Sequence, residues 1–231
     1  LASFNLALGQ AASPIIADLA RRQQTHDLGR VLHQHARWVA MTTVPLFLVL
    51  LLYGDKLVNL LGPSYVPDAP VIAILALSQL SIALFSSAGY ALSMTGRHIT
   101  EFRVLSIGVA VSVAVNLALI PGNGITGAAV AGLIGGLVAN ILRATSVYKI
   151  FGVFPLGIDL LRPVLICTAV FAVVYWIQLG LVTAGTIPVV LGCVGVSIGI
   201  YTVLLLLVGL APDDRRLLRA ACGRFIALRG L

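Results

Sequence analysis

Seven apolar runs, most of them near twenty residues long, dominate this chain and leave it few ways to fold. They cover about 1–19, 38–54, 71–95, 104–121, 125–147, 164–184 and 188–210. Of the 231 residues, 59% are hydrophobic and 10% charged, against roughly 25% charged in an ordinary soluble domain. So few charges cannot cover a folded surface of this size in water, so lipid must be the solvent for most of it. Lipid offers no partner to a backbone N–H or C=O, which restricts spanning segments to helices or a closed barrel. Barrel strands alternate in segments of about ten residues. These runs are unbroken and long enough for helices across a core about 30 Å thick. The expected fold is all-α: a polytopic transmembrane helix bundle of about seven spans.

The connections between runs carry the charge. Lys and Arg on one side of the alternation are Arg21, Arg22, Arg30, Arg37, Arg97, Arg103, Arg143, Lys149, Arg162, Arg215, Arg216, Arg219, Arg224 and Arg229, and on the other only Lys56. A split of this size orients the bundle by the positive-inside rule, with the C-terminus cytoplasmic. The net charge of +7 therefore reflects membrane topology, and nucleic acid is not an expected partner. The first connection, RRQQTHDLGRVLHQHAR, and the third, TGRHITEFR, read as solvated basic loops. PGNG at 121–124 reads as a tight turn between the fourth and fifth runs. In the fifth run Gly124, Ala128, Gly132 and Gly136 stand four apart, a stripe that lets a neighbouring helix approach closely. Residues 211–231 read as a basic amphipathic helix on the inner leaflet. The chain opens inside an apolar run without Met, which reads as part of a longer protein.

Chemistry-bearing residues are sparse. The eight acids, Asp18, Asp27, Asp55, Asp68, Glu101, Asp159, Asp213 and Asp214, all fall in loops or at span ends. No carboxylate pair, Ser/His/Asp set or HExxH motif is present, so no enzyme active site, cofactor or metal is expected. His33-Gln34-His35 sits in the first loop, and residues two apart do not share a helical face. Cys167, Cys193 and Cys222 have no metal or disulfide spacing. The only lysines, Lys56 and Lys149, lie outside the runs or at a run's edge, so a retinal Schiff base has no candidate. Polar residues inside runs include Asn5, Gln10, Gln79, Ser86, Ser87, Tyr90, Asn116, Asn140 and Gln178. Each faces another helix or an aqueous cavity, since lipid penalises it. Asn140 and Arg143 share a face. The ordinary expectation is that Arg143 snorkels to the interface, and contact with an anionic headgroup is the alternative.

Four segments, in order, resemble a known family. They are SPIIADLARRQQTHDLGRVL (13–32), LLGPSYVPDAPVIAILALSQL (60–80), ALSMTGRHITEF (91–102) and NLALIPGNGITGAAVAG (116–132). Together they look like the polysaccharide/O-antigen flippases, the Wzx-like branch of the MATE-like superfamily that also holds multidrug extruders and lipid II flippases. PGNG departs from the family's usual aromatic-glycine after the proline. The resemblance covers about 1–150, which would be helices of the C-terminal lobe. It would leave 151–210 as two additional helices and 211–231 as the tail. It implies two lobes of six helices around a cavity, working by alternating access in the bacterial inner membrane. The implied substrate is an undecaprenyl-pyrophosphate-linked oligosaccharide. The implied partners are membrane lipids, the N-terminal lobe and a polysaccharide polymerase. Asn5, Gln10, Asn116 and Asn140 are then candidates for sugar hydroxyls, and Arg97 and Arg143 for the pyrophosphate. Two other readings stand beside it: another transporter of the superfamily (multidrug/cation antiporter or lipid II flippase), and a membrane-embedded enzyme or seven-helix receptor.

Overall fold

The computed structural model describes residues 2–59, 69–181, 187–205 and 207. Among these, every regular element is helical: α1 (Ala2–Arg21), α2 (Thr25–Asn59), α3 (Ala69–Leu84), α4 (Ser86–Met94), α5 (His98–Phe151), a 3-10 turn at Ile158–Leu160, α6 (Leu161–Leu181) and α7 (Ile187–Leu204). By length and composition three helical stretches suffice to cross a membrane, Thr25–Val58, His98–Phe151 and Ile158–Ile177. A fourth crossing is formed if α3 and α4, which meet at 40°, count as one broken span. The expected amphipathic tail, the sixth connection and the Gly-Pro-Ser-Tyr stretch at 62–65 lie outside the described residues.

The 54 residues of α5 are not one rod. Gly124 takes φ 52, ψ −127, a conformation open to glycine and strained for side chains. The chain reverses there. A Cβ placed on Gly108 would lie 2.7 Å from the Cβ of Ala139, and one on Gly135 would lie 2.6 Å from the carbonyl oxygen of Gly108. In a continuous helix these positions would be about 40 Å apart. The expected turn at 121–124 is therefore present, and α5 is an antiparallel hairpin with arms 98–123 and 125–151.

The small-residue face that seals this hairpin is not the expected one. Gly132 has open space beside it, and the nearest atom to a Cβ on Gly136 is the Ser78 hydroxyl at 3.9 Å. The arms meet instead through Gly127, Gly135 and Ala139, with Ala131 also buried on this face. Both sets are spaced by four, so spacing alone selects neither. What decides is which face the turn at Gly124 points back at the first arm.

The two basic loops are shorter than expected. α1 ends at Arg21 and α2 begins at Thr25, with Gln23 at φ 55 in the turn. The charged stretch 25–37 is helical because Leu28, Leu32, Ala36 and Val39 repeat at helical spacing and are all buried. Asp27 in the first turn suits the helix N-terminus. Likewise α5 starts at His98, directly after the turn at Gly96 (φ 75). His33 and His35 are thus on α2, not in a solvated loop. His33 Nε2–H donates to the Phe154 carbonyl at 2.7 Å, and His35 is buried against Ser86 and Tyr90. Among the described residues no three His, Cys, Asp or Glu side chains gather as a metal site would require.

α2 is the spine. Its first half packs Leu28 and Leu32 against Ile16 of α1, Ala88, Ala91 and Leu92 of α4 and Val147 of α5. Its second half packs Ala40, Val44, Leu48 and Val49 against Cys167, Val170 and Phe171 of α6 and Tyr201 of α7. The described basic residues other than Lys56 lie at or near one end, where the turns 22–24 and 95–97 and the connector 152–157 meet.

One hydrogen bond ties α7 to a break in α2. Pro45 inside α2 has no N–H for the carbonyl of Met41 four residues back. The Tyr201 hydroxyl donates to that carbonyl at 3.1 Å, buried. Tyr201→Phe is expected to leave the carbonyl orphaned and cost about 1–3 kcal/mol. In a Pro45→Ala background, where residue 45 regains its N–H, the same change is expected to cost under about 1 kcal/mol. Thermal unfolding of the four proteins in detergent measures the difference, and equal costs in both backgrounds would remove the explanation. The hairpin gives a second check in the same assay. Gly135→Ala is expected to destabilise by about 1–3 kcal/mol through overpacking. Gly132→Ala, in open space, is expected to be neutral or stabilising by up to about 1 kcal/mol.

Candidate functional site

The hairpin register that sets Gly108 against Gly135 and Ala139 brings Glu101 level with Arg143. Glu101 is in the first turn of α5, where the helix N-terminus favours a carboxylate. Arg143 lies on the second arm. Its Nε donates to both carboxylate oxygens at 3.0 Å and its Nη2 donates to Oε1. Its Nη1 donates to Asn140 Oδ1 at 3.1 Å. Asn140, 2% exposed, reaches across to α3, where its Nδ2 donates to Ser81 Oγ at 3.4 Å. Ser81 Oγ in turn donates to the Ser78 carbonyl at 2.8 Å. The charged side chains are only 11% and 13% exposed. Gly89 of α4 leaves room for the guanidinium, since a Cβ there would lie 3.3 Å from Nε.

This corrects two expectations. Arg143 does not snorkel to an interface, because a nearer partner satisfies it. Glu101 is not a loop acid, because α5 begins three residues before it and turns it inward. Burying either charge alone is very costly, and a bidentate geometry with further hydrogen bonds is what makes a buried pair tolerable.

Above the pair runs a groove of about 310 Å³ between α3 and the two arms of α5. Ile82, Leu105 and Val109 form its apolar rim and are themselves exposed. Gly132 and Gly136 line it on the second arm without side chains, and Asn140 and Arg143 form its polar floor. The stripe expected to pack a helix thus lines an opening instead.

A second polar cluster sits where α3 breaks into α4 at Phe85. The Ser86 hydroxyl donates to the Ala83 carbonyl at 2.7 Å and so accepts from His35 Nε2 at 3.3 Å. The Tyr90 ring stands edge-on to His35 at 5.6 Å. Irregular backbone of this kind is tolerated in an apolar surround only where protein covers it, and here His35 and Tyr90 do so.

The six residues singled out from sequence do not form one site. Asn140 and Arg143 are together. Arg97 is exposed at the basic end, between two hollows of about 390 and 400 Å³ that reach Gln23, Gln24 and Thr25 on one side and Arg21 and Thr95 on the other. Asn116 turns onto its own helix, its Nδ2 donating to the Ser112 carbonyl at 2.9 Å. Gln10 is exposed on α1. Asn5 lies in α1, and its side chain is outside the described set. Glu101 and Ser81 were missed. The signal for Glu101 was available: an arginine inside an apolar arm demands a partner, and folding the chain back at 121–124 sets 101 opposite 143.

No protein-family model matches the chain, and no curated protein and no solved structure matches it either. The site stands on its geometry. Arg143→Ala, which strands Glu101, is expected to cost about 3–5 kcal/mol. Replacing both charges by leucine is expected to cost less than that single change, because no uncompensated charge remains. Unfolding midpoints of the two variants in detergent decide, and a double variant less stable than Arg143→Ala would show the pair to be net stabilising.

Proposed function

We propose that this chain belongs to a membrane transporter that moves a lipid-linked oligosaccharide across the bacterial inner membrane by alternating access. In this reading it supplies helices of the C-terminal lobe followed by two additional helices, seven spans in all. The basic end faces the cytoplasm, and the substrate is of the undecaprenyl-pyrophosphate class. The observation that carries the reading is the groove. An open groove with an apolar rim and a hydrogen-bonding floor matches a molecule that keeps its chain in the bilayer and hands its polar part to the protein. The four ordered segments of sequence support it. So does the clustering of most described basic residues in or beside the turns 22–24 and 95–97 and the connector 152–157, with Lys56 near the far end of α2, a pattern of the kind that orients membrane proteins.

A second reading, an ion-coupled antiporter of the same superfamily, gains from one feature. A buried carboxylate is what coupling to a cation ordinarily requires, and Glu101 is one. The two separate in one assay. The protein is reconstituted in vesicles holding a fluorescent undecaprenyl-pyrophosphate oligosaccharide, and arrival of sugar at the far leaflet is followed with an impermeant glycosidase. Accelerated arrival relative to empty vesicles is the expected result. No acceleration, with drug efflux under a proton or sodium gradient, would transfer the assignment to the antiporter.

A further inference from the structure

Among the residues lining the groove only Arg143 is charged, and Glu101, outside the lining, pairs with it and cancels that charge, which determines what can rest there. Glu101 occupies Nε and one N–H of Nη2, and Asn140 occupies one N–H of Nη1. A guanidinium has five N–H donors, so two remain. Asn140 gives one N–H to Ser81 and accepts one from Arg143, which leaves a further donor and acceptor capacity on its carbonyl. We infer that the groove between α3 and the arms of α5 binds the uncharged, hydroxyl-bearing part of a membrane amphiphile, and that Glu101 sets this specificity by neutralising Arg143. The inference rests on the amphiphile reading of the groove and names which part of the molecule sits there.

A hydroxyl both donates and accepts, and the floor offers both. A phosphate only accepts and brings charge. At the floor the Glu101 carboxylate paired to the guanidinium offsets the attraction, and the apolar side chains of Ile82, Leu105 and Val109 take part of the phosphate's hydration without replacing it. The attraction and repulsion largely cancel, and the desolvation remains uncompensated. This reverses the expectation that Arg143 attracts a pyrophosphate. Any phosphate on the same molecule is left to the exposed arginines of the basic end, Arg97 among them.

Two probes with one diazirine-bearing alkyl chain test this, one ending in glucoside and one in phosphate. Each is photolysed with the purified protein in nanodiscs of uncharged lipid, and labelled residues are read by peptide mass spectrometry. In the wild type the glucoside is expected to label the groove around Leu105, Val109 and 132–140, with the phosphate labelling it roughly tenfold less. Glu101→Gln, which keeps the shape and exposes the Arg143 charge, is expected to reverse that ratio. The double variant Glu101→Gln/Arg143→Gln, neutral again, is expected to restore it. Equal groove labelling by both probes in the wild type overturns the inference, as does an unchanged ratio in a folded Glu101→Gln protein. Should that variant not fold, the wild-type ratio alone decides. Absence of groove labelling by either probe overturns the amphiphile reading itself, which is a different failure from equal labelling.

Discussion

The close backbone approach of the two arms of α5 is the constraint from which the rest of the site follows. Gly108 and Gly135 meet with no room for a Cβ on either, and Gly127 lies as tightly against the carbonyl of Leu119. Helices this close cannot slide, because any shift drives a side chain into backbone. The fixed register puts Glu101 beside Arg143 and turns Asn140 toward Ser81 on α3. It also turns Gly132 and Gly136 away from the first arm, which opens the groove where a packed interface was expected. A turn made possible by one glycine at positive φ therefore determines both the ion pair and the cavity above it.

An apolar surround makes each polar group a matter of consequence, and the chain meets this in three ways. Many hydroxyls bond back to their own helix: Thr42 to Val39, Ser146 to Leu142, Thr168 to Val164, Ser197 to Cys193 and Thr202 to Ile198. Such bonds remove a donor from lipid without asking anything of a neighbour. Breaks in the backbone are handled across helices, as where Tyr201 of α7 fills the vacancy that Pro45 makes in α2. Charges are handled by full pairing, as at Glu101 and Arg143. The first kind says nothing about tertiary structure. The other two tie specific helices together, and so carry more of the fold's specificity than their number suggests.

How much of this the sequence discloses depends on the range of the signal. The apolar runs are local and long, and α2, α5 and α6 lie over them. The turn at 121–124 is equally local, and Gly124 performs it. Helix ends were misplaced where the helix outlasts its apolar run. The stretch 25–37 is charged on one face and carries Leu28, Leu32 and Ala36 on the other, so mean hydropathy hides it while a period of 3.6 reveals it. The packing face of α5 was misplaced because Gly124/Ala128/Gly132/Gly136 and Gly127/Ala131/Gly135/Ala139 are equivalent as patterns, and only the direction of the fold-back separates them. Glu101 is legible only through Arg143 and the fold-back at 121–124. Its partner lies 42 positions away, and nothing near Glu101 marks it as buried.

The pairing of Arg143 also changes how the basic residues of this protein are to be weighed. Counted as residues, they form one undivided positive end. Counted by what faces them, they divide. Arg22 pairs with Asp18, Arg30 with Asp27, Arg37 with Asp159 and Arg143 with Glu101. Arg21, Arg97, Arg103, Lys149 and Arg162 are exposed, and no carboxylate lies within ion-pair distance of them among the described residues. Among the described residues of that end the long-range field comes chiefly from the second group, since a charge closely matched by its opposite contributes little at a distance. Attraction of an anionic headgroup is work for exposed cations, which act through water and are sensitive to salt. Selection among polar groups inside the groove is work for a neutral, preorganised floor. On the transporter reading proposed above, a molecule anionic at one point and hydroxylated at another needs both kinds of site, and the exposed cations and the neutralised Arg143 lie at different places in this fold.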